Sequence, residues 1–153
     1  MAIPAKLPIL QMEDYHTEYI GRAADGTLFM AFETFVFSPP FADLTPEQQQ
    51  DWPAYRREYA VLHLFDAKGT YQRTEAWYGG TTATCDPAQL HAQLQALLAP
   101  LGQVTYQDIK VAPFRTQIDG FTFGLIPDPV AQTVSLEPNG LLFMSPWDGE
   151  YYT

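Results

Sequence analysis

Leu28-Phe29-Met30-Ala31-Phe32-Glu33-Thr34-Phe35-Val36-Phe37 follows directly on Ala24-Asp25-Gly26-Thr27, and these two segments decide the fold. The longer run is rich in β-prone residues and apolar at successive positions, so it cannot be a strand with one wet face. It requires a central strand, or one covered by a helix. Asp-Gly between this run and the preceding Tyr19-Ile20 predicts a tight hairpin, because glycine accepts the positive φ such turns need. A second hairpin reads from residues 59–65, through Asp66-Ala67-Lys68-Gly69, into residues 70–78, with Gly79-Gly80 ending it. Its return strand mixes Tyr71, Thr74, Ala76 and Tyr78 with Gln72, Arg73 and Glu75, which suggests one solvated face.

Outward from the hairpins, Ser38-Pro39-Pro40 breaks the sheet, since neither proline can donate to a ladder. Thr45-Pro46-Glu47-Gln48 reads as a helix start, with Thr45 as N-cap, Pro46 in the first turn and Gln48 in the capping-box position. Pro53 limits that helix to residues near 45–52, and residues 38–55 read as an insertion between strands. Asp86-Pro87 opens the one long helix, with Asp86 placed to accept from the amide of Gln89. Leu90, Leu94, Leu97, Leu98 and Leu101 then form one apolar stripe, so the helix is expected over residues 86–101. Its other side carries Gln89, Gln93 and Gln95 and no charge, as if something covered it. Further strands read over residues 104–111, 121–126, 133–136 and 141–144, the last two joined by Glu137-Pro138-Asn139-Gly140. Residues 1–13, with two prolines and no period, read as an extended lead-in. The expectation is a single α+β domain over residues 1–153: a mainly antiparallel sheet of seven or eight strands built from hairpins, with the long helix on one face.

The 153 residues carry 18 Asp and Glu against 8 Lys and Arg, a net charge of -10, and 46% of them are apolar. That composition supports a sizeable core and argues against disorder. An acidic chain with no run of Lys and Arg lacks the electrostatic term behind most nucleic-acid affinity, and anionic membrane surfaces are disfavoured likewise. Cys85 is the sole cysteine, so no intrachain disulfide forms. The apolar stretch from Leu7 to Leu10 is interrupted by Pro8 and is too short for a signal-peptide core or a membrane span. A cytoplasmic location is the expectation.

Catalytic signatures are missing from the text: no HExxH, CxxC, GxSxG, Walker loop or GxGxxG occurs, and no catalytic residue, metal site or cofactor is expected. His63 lies in an apolar strand and reads as a core-edge histidine with a hydrogen-bond partner. Cys85, just ahead of the long helix, could be activated by the helix dipole, or could pack with Leu90 as a hydrophobic staple. Two acidic groups stand out. Glu13, Asp14 and Glu18 lie near the amino terminus, and Trp147, Asp148, Glu150, Tyr151 and Tyr152 crowd the carboxyl terminus. The terminal aromatics either close the end of the core or anchor a partner, with the carboxylates selecting a basic one.

Several segments resemble one family. Tyr19-Ile20-Gly21-Arg22 before Asp25-Gly26, Leu64-Phe65-Asp66 before Gly69, Val111-Ala112-Pro113-Phe114, Phe123-Gly124-Leu125-Ile126-Pro127 and Pro146-Trp147-Asp148-Gly149-Glu150-Tyr151 are similar to small bacterial proteins often labelled formate hydrogenlyase regulatory protein-like. The resemblance implies a bacterial origin and a single domain, and carries over no catalytic residue. Two function classes follow. The first is an acidic interaction protein, of the immunity or inhibitor type or a regulator, docking on a basic partner protein through the terminal carboxylates and aromatics. The second is a small-ligand-binding domain or enzyme with an aromatic-lined pocket using His63 or Cys85.

Overall fold

The computed structural model describes residues 2–13 and 16–153. In chain order it contains β1 (Leu7–Ile9), β2 (Tyr19–Ala23), β3 (Leu28–Phe37), a short helix α1 (Pro46–Gln50), β4 (Arg56–Phe65), β5 (Tyr71–Thr81) and the long helix α2 (Pro87–Leu98). Six strands follow: β6 (Val104–Tyr106), β7 (Ile109–Val111), β8 (Phe114–Ile118), β9 (Phe121–Asp128), β10 (Thr133–Glu137) and β11 (Leu141–Met144). The protein is α+β with antiparallel sheets. One sheet has the order β5-β4-β3-β2-β6, a second β11-β10-β9-β8, and β1 pairs with β7 as a two-stranded ribbon.

Burial explains the layering. In β3 the side chains of Leu28, Met30 and Phe32 enter one core, and those of Phe29 and Ala31 enter another. β4 divides likewise, with Tyr59, Val61 and Phe65 on the first side and Ala60, Leu62 and Leu64 on the second. The first core is filled from the facing sheet by Phe114, Phe123, Leu125, Val134, Leu136, Leu141 and Phe143, and by Leu7, Ile9, Ile109 and Val111 of the ribbon. The second is closed by Leu90, Leu94 and Leu98 of α2. Helix, five-stranded sheet and four-stranded sheet therefore stack as three layers, and β3 and β4 are buried on both faces, as their uninterrupted apolar text requires. Across the sandwich, the Tyr59 hydroxyl accepts from Arg57 Nε at 2.9 Å and donates to Asp119 Oδ2 at 2.9 Å, tying β4 to the β8–β9 turn.

The expected seven or eight strands in one sheet are thus eleven in three sheets among the described residues. β1 is only three residues long and contains Pro8; pairing of Leu7 with Val111 and Ile9 with Ile109 makes it a strand, a contact the lead-in text does not announce. Residues 104–111 do not form one strand. They divide at Gln107-Asp108, because β6 pairs with β2 and β7 pairs with β1. β8 was hidden among polar residues behind Pro113, and its place is set by pairing with β9. β5 does not stop at Gly79-Gly80; a register shift against β4 carries it on to Thr81. The helices stand where expected: Thr45 and Gln48 form the capping box of α1, and a 3-10 turn at Ala99–Leu101 extends α2. Asp86 caps through the amide of Ala88 and not that of Gln89. No helix of the described residues is long and apolar enough to cross a membrane.

Candidate partner-binding surface

The two acidic segments at the ends of the chain lie against one another. The Leu10 amide donates to the Gly149 carbonyl at 3.1 Å, and the His16 ring meets Tyr151 edge-on at 5.6 Å. Trp147 and Tyr151 are half-buried and pack against the sandwich core. Tyr152 is exposed and held by paired backbone hydrogen bonds to Leu142, and Asp148, Glu150 and Glu13 are exposed. Asp14 lies outside the described residues. The tail therefore divides: two aromatics turn inward, and Tyr152 with the carboxylates faces solvent.

Glu18 is the last residue of the 16–18 turn, directly before β2. It lines a cleft of about 390 Å³ together with Tyr19, Glu33, His91 and Leu94. Each comes from a separate decision of the chain. Glu33 interrupts the apolar text of β3 on its helix-facing side, two residues beyond the buried Ala31. His91 stands one residue after the buried Leu90 on α2, and its Nδ1 lies 3.0 Å from Glu33 Oε2. Tyr19 stacks edge-on against Tyr106 with ring centroids 5.7 Å apart, giving the cleft an aromatic wall. Burial first, and then the negative charge of Glu18, with Tyr106 and Glu33 adding to it, hold the Tyr19 phenol above its ordinary pKa. Both carboxylates thus act on the same hydroxyl. Such an arrangement suits a cation, which two carboxylates attract and an aromatic face accepts. Among the described residues no group of three or more His, Cys, Asp or Glu side chains is placed to hold a metal ion. Glu33 and His91 were not singled out in the sequence; a lone carboxylate amid a ten-residue apolar strand was the signal available.

His63 and Cys85 do not come together. His63 lies in the sandwich core, fully buried, with the Phe114 ring at 4.7 Å and the Phe32 ring at 5.5 Å. One ring nitrogen meets Thr74 Oγ1 at 2.6 Å, and Thr74 in turn meets the Tyr71 hydroxyl at 2.8 Å. Burial pushes the imidazole pKa down to about 3, so the ring is neutral. Cys85 packs on the opposite face of the five-stranded sheet, against the α2 core. Its Sγ and the Leu90 Cδ1 each lie 3.3 Å from where a side chain on Gly79 would begin, and the thiol packs against the apolar layer that includes Leu90. Burial, and then the charges of Glu58, Asp86 and Glu33, raise its pKa, the reverse of an activated thiolate.

Comparison with protein-family models, with curated proteins and with solved structures finds no match.

Proposed function

We propose that this is a non-enzymatic acidic interaction protein of bacterial origin, an immunity- or inhibitor-type protein or a regulator, that docks on a basic partner protein. The observation that carries this reading is the cleft of Glu18, Tyr19, Glu33 and His91. It places two carboxylates against an aromatic wall in a chain of net charge -10. A Lys or Arg side chain entering there would gain ion pairs from Glu18 and Glu33 and a cation–π contact from Tyr19. The exposed carboxylates of Glu13, Asp148 and Glu150 add to the negative charge that would steer a cationic partner and speed encounter.

The test is a titration of the isotope-labelled protein with a short Lys/Arg-rich peptide, followed by NMR. The expected shifts centre on Glu18, Tyr19, Glu33 and His91 and weaken as salt is raised. The double variant Glu18→Gln, Glu33→Gln should bind roughly three- to tenfold more weakly, the size expected of two partly exposed ion pairs. A shift map that avoids the cleft, or one that the double variant leaves unchanged, would overturn the reading.

A further inference from the structure

The eight Lys and Arg residues are not spread evenly over this acidic protein. Arg56, Arg57 and Arg73 are paired with Glu58, Asp119 and Glu75. Four others, Lys6, Arg22, Lys68 and Lys110, line a single cleft of about 550 Å³ at the far end of β2 from Tyr19. Among the described residues none of these four makes an ion pair, although 18 Asp and Glu are available to the chain. Like charges brought together repel, and a local excess of positive charge attracts an anion.

The scaffold explains how four distant cations meet. Lys6 directly precedes β1, whose Leu7 pairs with Val111, and Lys110 faces outward between the buried Ile109 and Val111. Lys68 sits in the β4–β5 turn. That turn is pressed onto β7, because Gly69 lies against the Lys110 carbonyl with no room for a side chain and its own carbonyl accepts from the Ala112 amide at 2.9 Å. Arg22 is exposed on β2 opposite Thr105 of β6. Asp108 lines the cleft and Asp66 feels the charges of Lys6 and Lys68, so the four cations face two carboxylates and keep a net positive charge. Asp66 Oδ1 accepts from Lys68 N at 2.9 Å and Thr70 N at 3.0 Å, and Asp108 Oδ1 accepts from Gln11 N at 2.8 Å. Leu28 and Ile109 form an apolar floor. A second cleft of about 660 Å³ continues from the first, sharing Arg22 and Gln107 and adding Gln103 and Thr105 as polar walls.

We propose that Lys6, Arg22, Lys68 and Lys110 form a binding site for a small ligand carrying two or more linked phosphate groups. A compact phosphoanhydride concentrates several negative charges in the span of one cleft. Three ammonium groups and one guanidinium fork supply the matching point charges and bidentate geometry. The adjoining polar cleft is where the remainder of a larger ligand, such as a nucleoside, would lie.

The experiment is a calorimetric and NMR titration of the full chain with sodium tripolyphosphate at fixed ionic strength. Saturable binding is expected, with shifts at Arg22, Lys68 and Lys110, weakened at least tenfold in Lys68→Gln, Lys110→Gln and held within about threefold in Lys68→Arg, Lys110→Arg. These side chains are exposed, so both variants should unfold at the wild-type temperature. Glu18→Gln, Glu33→Gln should leave phosphate binding intact, which separates this site from the docking cleft. Adenosine triphosphate distinguishes the source of the phosphates: tighter binding with added shifts at Gln103 and Thr105 identifies a nucleotide, and equal binding identifies the inorganic chain. The proposal is overturned if tripolyphosphate shows no saturable binding at low salt, if citrate or sulfate binds as tightly, if a single-stranded oligonucleotide binds more tightly than either phosphate ligand, or if the Gln variants bind unchanged.

Discussion

His63 shows how one side chain couples this fold to pH. In the unfolded chain an imidazole has a pKa near 6.5, and in the sandwich core it falls to about 3. Between those values the unfolded state binds a proton that the folded state refuses, so stability rises with pH across this window and is lost as pH falls below about 6.5. The slope from this residue is at most about 1.4 kcal/mol per pH unit. Replacement by glutamine, which can still bond Thr74, should flatten the difference in urea midpoint between pH 7 and pH 4.5; an equal acid loss in both proteins would show that His63 does not titrate on unfolding. Gly69 is the second position where one atom matters. Its φ of +87° and its contact with the Lys110 carbonyl leave no space for a methyl group. Gly69→Ala should cost about 1–3 kcal/mol of stability in chemical denaturation and, by displacing the turn from β7, weaken tripolyphosphate binding as well.

Among the elements, α2 was legible because capping, first-turn proline and leucine spacing all lie within one stretch of chain. Its buried stripe of Leu90, Leu94 and Leu98 carries the outer layer. Leu98→Ala should therefore lower unfolding free energy by about 2–5 kcal/mol, measured by denaturant titration, with far-UV circular dichroism largely retained. β3 was legible for the same reason, since a strand apolar on both faces must be covered twice. β1 and β8 were not. They are three and five residues long, one held by a partner remote in sequence and the other hidden behind a proline, so local pattern carried too little weight. The split between β6 and β7 has the same origin: no residue in 104–111 breaks the pattern, and only the pairing of the two halves with different strands divides them.

For the whole molecule, charge is the organising quantity. Composition and turn chemistry are properties of neighbouring residues, so the acidity, the α+β class, the long helix and the first hairpin could all be read along the chain. Proximity across the fold could not. The carboxyl tail was visible as unusual, yet packing decided that Trp147 and Tyr151 face the core and that Tyr152 does not. Glu18, Glu33 and His91 share a cleft only because β2, β3 and α2 converge, and His63 and Cys85 are parted by a sheet that their sequence positions do not reveal. The absence of any Lys/Arg run argued against nucleic acid and anionic membranes, yet Lys6, Arg22, Lys68 and Lys110 are gathered by strand pairing and one tight turn. Electrostatic fields add in space and not along the chain. A site made of single residues from four distant segments therefore leaves no mark in the text and exists only once the strands have paired.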